Sequence, residues 1–521
     1  MDFAATANEI RAGNKPSFDD SLAYAQSLDR ADPLAPLRSD YLFPTKASIK
    51  SKTLTRHHHV DGTAGLNSAA DANANANAND PDDEPVLYFC GNSLGLQSKT
   101  TRSSIYAQLD TWHALGVNGH FTDPDGSPLV NWQDMSADCA RKSVALVGAK
   151  DAAEIVYMNT LTVNIHMLLA AFYKPTAARS KIILEWKPFP SDYYAISSHV
   201  QWHGRDPAHE LVEIWPHGEH ADPASLYIST DQILATIDAH AHDAALLLLP
   251  GIQYYSGQLF DMATITEYAH ARGLVVGWDL AHAAGNVDLR LHDWNVDFAM
   301  WCTYKYINAG PGAIAGAFVH ERHGHVEWSA APASSSHPGP DPQDQPSEPV
   351  PVFRPRLSGW YGGDKSVRFL MAKQFQPTPG AAGFQAGNPS ALDLAALSGS
   401  LDMFARAGFP NLRNKSLVLT AYAEHMLHRI LADEHANNDT PAFTIVTPPN
   451  PAERGAQLSV LLRHGLLDKV QALFAEKGII CDKRKPDVIR VAPVPMYNSF
   501  EDVWRFMHAL REAVGIPAKS G

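Results

Sequence analysis

Cysteine is scarce in this sequence. Four residues, Cys90, Cys139, Cys302 and Cys481, are scattered through 521, with no CxxC pair. A disulfide framework or a cysteine-held zinc site needs paired or closely spaced thiols, so reduced thiols in a reducing compartment are expected. Blocks of Lys and Arg are also missing, and the formal net charge is −14. A nucleic-acid partner calls for a concentrated basic surface, so none is expected. Long apolar runs are absent too. The densest short one, Ala244 to Leu249, is far below the ~20 residues of a membrane span. The start, MDFAATANEIRAGNKPSF, has neither the basic stretch nor the apolar core of a secretory signal. The expectation is a soluble, cytoplasmic protein that does not engage a membrane.

What is present is an ordinary globular balance, 45% hydrophobic and 19% charged, in a chain long enough for two or three compact domains. Two stretches read as surface insertions, roughly Ser48 to Glu84 and about Ala331 to Pro351. The first holds His57-His58-His59 and AADANANANANDPDDE; the second is rich in Pro and Ser. Such residues bury too little apolar area to offset the entropy of ordering. The His triplet reads as a solvated loop, since no further metal ligands stand near it.

Around these stretches buried strands alternate with helices. AALLLLP (244–250) is a continuous apolar run like a strand buried on both faces. Helical ATITEYAHARG (263–273) and the strand LVVGWDL (274–280) follow, then DFAMWCTY (297–304) and AIAGAFVH (313–320). Strand, helix, strand in that order imply an α/β fold with a mostly parallel central sheet covered by helices on both faces. Beyond about Asn388 long helices mix with a few strands. In Ser499 to Val514, Ser499 can cap, Asp502 follows three later, and Val503, Phe506, Met507, Leu510 and Val514 share one face. The expected organisation is an N-terminal helical segment over 1–83, with a helix around Ser17 to Asp29, a large α/β domain over 84–387, and a smaller C-terminal α/β domain over 388–521.

The chemistry concentrates in GWDLAHAAGNVDLRLHDWNVDFAMWCTYKYINAGPGAIAGAFVH (277–320). Asp279 closes a buried strand, where ligands gather in open α/β sheets, and His282 follows three residues later. Lys305 ends the run DFAMWCTYK. Lysine seldom closes a buried strand unless it is paired or covalently used. A Schiff base needs an amine, and a pyridoxal cofactor needs a carboxylate to keep its ring nitrogen protonated. Lys305 and Asp279 supply both; on spacing alone a structural ion pair beside a rim lysine fits as well.

This block resembles the kynureninases, fold-type I pyridoxal-phosphate enzymes of the aminotransferase class V group. Further matches, in family order, are YFCGNSLGLQ (88–97), NTLTVNIHMLL (159–169), FPSDYYAI (189–196), YYSGQLFD (254–261), GWYGGD (359–364) and CDKRKPDVIRVAPVPMYNSF (481–500). The resemblance covers nearly the whole chain apart from the two insertions. It implies hydrolytic cleavage of the Cβ–Cγ bond of L-kynurenine or 3-hydroxykynurenine, giving L-alanine and an anthranilate, with pyridoxal 5'-phosphate as cofactor and no metal.

The resemblance also assigns roles. Lys305 carries the cofactor covalently, Asp279 holds the ring nitrogen, and His282 lies beside the ring, with a core histidine as the alternative. Leu161 and Thr162 bind the phosphate at a helix N-terminus; Thr162 as a helix cap is compatible with that. In FPSD, Phe189 stacks on the ring, and Pro190, Ser191 and Asp192 complete the cofactor contacts. Tyr304 reaches the phosphate, strand packing being the other reading. Tyr255 lies near the phosphate and relays protons. Trp360 and Asn388 reach the cofactor site of the neighbouring subunit, which makes a homodimer necessary for activity. Arg490 clamps the substrate carboxylate, and His120 faces the aromatic end of the substrate. Pro250 stands where the family often has Ser and offers neither hydroxyl nor N–H, which puts one phosphate contact in doubt.

Two rivals stand beside this reading: a cysteine desulfurase-like lyase of the same fold, which needs a mobile nucleophilic cysteine, and a catalytically silent scaffold. A zinc hydrolase is set aside, because HERHGH (320–325) is spaced one residue too wide for H-E-x-x-H.

Overall fold

A computed structural model describes residues 1–52, 84–216, 226–329, 349–371, 374–435 and 440–516. Of the two expected insertions, 53–83 (with His57, His58 and His59) and 330–348 lie outside the described residues. The contacts form two compact units: Thr100–Phe409 with Pro448–Gly455, and Met1–Lys99 with Pro410–Thr447 and Ala456–Gly521.

The larger unit is built on a seven-stranded sheet. In chain order its strands are β1 (Ile155–Met158), β2 (Lys181–Glu185), β3 (Leu211–Ile214), β4 (Ala244–Pro250), β5 (Val275–Asp279), β6 (Phe298–Cys302) and β7 (Ala315–Val319). They lie in the order β1-β7-β6-β5-β4-β2-β3. The five strands from β6 to β3 run parallel, whereas β7 is antiparallel to both neighbours. The connection between β6 and β7, residues 303–314, contains no helix to carry a parallel crossover. The sheet is therefore mixed, with a parallel centre.

Burial follows from the sequence pattern. In β4, Leu246 and Leu248 point to one face and Leu247 and Leu249 to the other, and all four are buried. Helices α1 (Leu161–Phe172), following β1, and α2 (Pro190–Trp202), following β2, press Ile165, Leu168, Ala195 and Val200 onto Leu246, Leu248, Phe298 and Met300. Each of these side chains larger than alanine contributes roughly 1.5–3 kcal/mol by leaving water. A third helix, α3 (Met262–His270), links β4 to β5, and its Thr266 hydroxyl accepts from the indole N–H of buried Trp278 at 3.0 Å. Gly277 is required in β5, because a Cβ there would meet Phe298 at 2.3 Å.

One expected strand is shorter than the sequence suggests. β6 ends at Cys302, so Tyr304 and Lys305 belong to a turn rather than to the strand. The backbone reverses through Asn308 N to Lys305 O (2.9 Å) and Ala309 N to Thr303 O (3.0 Å), with Asn308 at φ 59°.

The smaller unit holds a five-stranded sheet ordered Phe443–Ile445, Leu458–Leu462, Val488–Val491, Ile479–Arg484, Leu87–Phe89. Leu87–Phe89 is its only parallel member, pairing with Ile479–Cys481. The contacts thus divide the chain otherwise than at residues 84 and 388: Leu87–Phe89 joins the smaller unit, and helix Ala391–Ala407 joins the larger. The helix expected around Ser17 to Asp29 is Leu22–Ala31, capped by Ser21. Helix Phe500–Ala513 carries the expected reciprocal capping box of Ser499 and Asp502. Its Val503, Phe506, Met507 and Leu510 enter the core together with Phe89, Tyr422 and Phe474.

Candidate active site

The carboxyl edge of the large sheet opens into a cavity of about 230 Å³. Three strands end there in lining residues: Glu185 on β2, Pro250 on β4 and Asp279 on β5. Two helices begin there. Thr160 caps α1, accepting from Val163 N at 3.4 Å, and α2 starts at Pro190 directly after Phe189. The hydroxyls of Thr162 and Ser191 meet at 2.6 Å, tying the two helix starts together. Helix N-termini present N–H groups without intrahelical partners and the positive end of the helix dipole, so paired starts form an anion cradle.

Opposite lies Lys305, its Nζ 5.9 Å from the centroid of the Phe189 ring. Leu161, Thr162, Phe189, Ser191, Asp192, Asp279, His282, Tyr304 and Lys305, all expected from the sequence, line this one cavity. Tyr304 therefore faces the cavity rather than the strand core. Burial pushes its hydroxyl pKa up.

The acids are unequal in kind. Asp279 Oδ1 accepts from Ala281 N at 2.8 Å. Asp192 is held well above the usual carboxylate range, first by burial and then by the charge of Asp279 and a hydrogen bond between the two carboxyls. Burial and a neighbouring carboxyl both favour the neutral form of Asp192. Glu185, at the foot of the cavity, is pushed up to about 8 by burial, with Asp279 and Glu213 adding to it. A pair of adjoining carboxyls, an amine within the same cavity and a phosphate-type cradle fit pyridoxal phosphate, whose ring nitrogen, aldehyde and phosphate need these three kinds of partner.

Other expected residues lie elsewhere. Pro190 occupies the first position of α2 and is not part of the lining. Tyr255 is buried, and it is Tyr254 that lines the cavity. Trp360 and Asn388 are exposed and outside the lining. Trp360 joins an aromatic patch, with Phe369 at 5.2 Å and Phe121 at 5.3 Å from Phe369. His120 adjoins the same patch through Phe121, at 6.0 Å. Arg490 belongs to the smaller unit, where it is buried. Its Nε and Nη2 engage Asp482 at 3.1 and 2.8 Å across paired strands.

Sequence reading missed Thr160, Glu185, Ile252, Tyr254, Ala281 and Gly312 of the lining. Glu185 carried a usable signal, an acid closing the apolar run KIILE just before FPSD, which parallels Asp279 in VVGWD.

The HERHGH residues have structural partners. His320 Nδ1 accepts from Arg322 N at 3.3 Å, and His323 Nε2 lies 2.6 Å from Asp297. Glu154, His292 and His320 bring ligand-type atoms within 4.8 Å of one another. The Glu154 carboxylate there already accepts from Glu321 N, Lys150 N and His292 Nδ1 at 2.8 to 2.9 Å.

Known proteins resemble the chain at two levels. The family model described as the kynureninase C-terminal domain matches residues 412–510. Kynureninase 1 of Neurospora crassa is 55% identical, covering 98% of this chain and 99% of the relative. The chain belongs to the kynureninase family. The kynureninase of Pyricularia oryzae is likewise 55% identical, over 96% of each chain. Among solved structures, the apo cysteine desulfurase of Thermococcus onnurineus NA1 aligns at TM-score 0.59, with 15% identity, covering 82% of this chain and 94% of that one. A C-DES mutant with glycine covalently linked to its PLP cofactor aligns at 0.57, with 15% identity, over 83% and 97%. At such identities the fold alone is shared, and it is the fold-type I α/β architecture expected for kynureninases.

Proposed function

We propose that the protein is a hydrolase that cleaves the Cβ–Cγ bond of L-kynurenine, 3-hydroxy-L-kynurenine or both, yielding L-alanine and anthranilate or 3-hydroxyanthranilate. The observation that carries this reading is the meeting of Lys305, the Asp192–Asp279 pair and two helix starts in one cavity, in a chain that belongs to the kynureninase family. Bound pyridoxal phosphate supplies an electron sink for the substrate's α-carbon. Lys305 Nζ would hold it and, once the substrate amine is bound, would take the α-proton. Asp279, with Asp192 beside it, would hold the ring nitrogen protonated. Thr162, Ser191 and the first N–H groups of α1 and α2 bind the phosphate, with Pro250 adding no hydroxyl to that set.

Tyr255, which the family resemblance places near the phosphate and which follows the lining residue Tyr254, donates to the oxygen that becomes negative as water adds to the γ-carbonyl; by the same resemblance Arg490, oriented by Asp482, grips the α-carboxylate. His120 faces the substrate ring, and Trp360 and Asn388 serve the cavity of a second copy in a homodimer. That His120 and Trp360 adjoin one exposed aromatic patch supports a shared role there. The setting is tryptophan catabolism and NAD biosynthesis in the cytoplasm. Among the described residues no helix is long and apolar enough to cross a membrane.

A desulfurase-like reaction needs a thiolate, and burial pushes the pKa of all four thiols up, Cys90 to about 11. A silent scaffold has no need of an amine and an acid pair facing one cavity. The test is Lys305→Arg. It is expected to lose the yellow cofactor absorbance and, with it, alanine and anthranilate formation by about a thousandfold or more. Turnover retained in that variant rejects the covalent role, and sulfide release from cysteine by the unmodified protein would favour the rival.

A further inference from the structure

The turn between β2 and α2 carries a cation that the reaction above leaves unused. Lys187 stands at φ 59°, in the left-handed region that non-glycine residues seldom adopt. Its Nζ lies 3.9 Å from the centroid of the Tyr255 ring and 5.6 Å from that of Trp186. Among the described residues no acidic side chain forms an ion pair with it, and burial pushes its pKa down. A lysine head normally reaches for water; here an aromatic face holds it back.

The backbone of the same residue is fastened to the same loop. Gln253 Nε2 donates to Lys187 O at 3.2 Å. Gln253 Oε1 accepts from Tyr255 N at 2.6 Å and from Ser256 N at 3.0 Å. Gln253 is itself buried. One amide side chain thus ties the turn bearing Lys187 to the loop bearing Tyr255, and the ammonium is a second fastening between them. Nearby residues of the two segments continue the wall: the rings of Phe189 and Tyr254 meet edge to face at 5.4 Å, and both line the cavity.

We propose that Lys187 is a positioning residue for the reaction that acts through Tyr255: its ammonium fixes the ring, and its charge makes the Tyr255 hydroxyl a stronger hydrogen-bond donor. The inference rests on the reading of Tyr255 as the group that stabilises the developing negative oxygen. A cation over an aromatic face interacts with it electrostatically and directionally, so the effect follows the charge rather than the bulk of residue 187.

The test uses the holoenzyme and a double-mutant cycle. Lys187→Met should lower kcat about tenfold while KM stays within about twofold. Lys187→Arg, which keeps the charge, should restore kcat to within about threefold of the parent. In a Tyr255→Phe background, which keeps the ring and removes only the hydroxyl, Lys187→Met should lower kcat no further. In cofactor-free protein, the near-ultraviolet circular dichroism should change in Lys187→Met and not in Lys187→Arg. Equal losses from Lys187→Met in both backgrounds, or Lys187→Arg as damaged as Lys187→Met, overturn the inference and leave the reading of Tyr255 standing. A Tyr255→Phe enzyme with full kcat removes that reading, and the inference with it.

Discussion

Two groups of buried acids sit at opposite edges of the large sheet and have opposite electrostatics. Asp297, just ahead of β6, is ringed by donors: His270 at 2.8 Å, Val276 N at 2.7 Å, and Arg322 and His323 at 2.6 Å each. Burial alone would raise its pKa, but these hydrogen bonds outweigh burial and hold the carboxyl far below its usual range. At the carboxyl edge, Glu185 and Asp192 are equally buried but face Asp279 and one another, and both are pushed up. One edge is compensated until it is inert; the other is left short of positive charge, which a protonated ring nitrogen can supply. Burial does not set the difference between the two groups of acids. The surrounding donors do.

The largest effect expected from this contrast is on stability. Asp297→Asn leaves His270, His323 and Arg322 around an uncharged group, and should destabilise the fold by about 3 kcal/mol at neutral pH. Cofactor affinity should stay unchanged. Because the folded-state pKa of Asp297 is depressed, its contribution is present above the unfolded value and is lost as pH falls toward the folded one. The gap between parent and variant in denaturant unfolding should therefore close in acid. Asp192→Asn should do the reverse: stability held or raised by about 1 kcal/mol, because folding no longer buries a carboxyl whose charged form is disfavoured, and cofactor binding weakened by about tenfold. If both substitutions behave alike, the contrast between the edges is void.

A second effect separates Glu185 from its neighbours. Its folded-state pKa, about 8, lies above the unfolded value, so between the two the folded state binds more protons. Stability should then fall as pH rises from about 4.5 to 8, by a few kcal/mol at most. In Glu185→Gln that part of the slope should vanish from unfolding curves of the cofactor-free protein. A slope that persists would mean Glu185 ionises normally and that another group titrates there.

How far the sequence could be read follows from the same physics. Asp279 was legible because a charged residue closing a buried apolar strand is costly and so conspicuous, and Lys305 because the run DFAMWCTYK carries it just past the end of such a strand. Glu185 has that signature too, yet nothing along the chain shows that β2 lies next to β4, which brings its end beside Asp279. The interior strands were legible from their unbroken apolar runs. The antiparallel β7 and the early end of β6 depend on turn geometry, which composition does not record. Tyr254 and Tyr255 are adjacent and chemically alike; only the loop path decides which faces the cavity. The Asp482 carboxylate that engages Arg490 is eight residues away, but their pairing is a matter of strand register.

The smallest effect compares two helix caps of the same chemistry, one at the cavity and one in the smaller unit. Ser499 accepts from Asp502 N at 3.0 Å and is answered by the Asp502 carboxylate at 3.1 Å, whereas Thr160 makes a single 3.4 Å bond to Val163 N. Loss of a cap costs about 1 kcal/mol, and less where the bond is long. Ser499→Ala should therefore lower stability by about 1 kcal/mol and leave cofactor binding untouched. Thr160→Ala should lower stability by about half as much but weaken cofactor binding, because Thr160 lines the cavity at the α1 N-terminus proposed to hold the phosphate. Paired denaturation and cofactor titrations on the two variants decide it. If Thr160→Ala changes stability alone, the start of α1 is an ordinary helix end, and the phosphate must be held by Ser191 and the start of α2 without it.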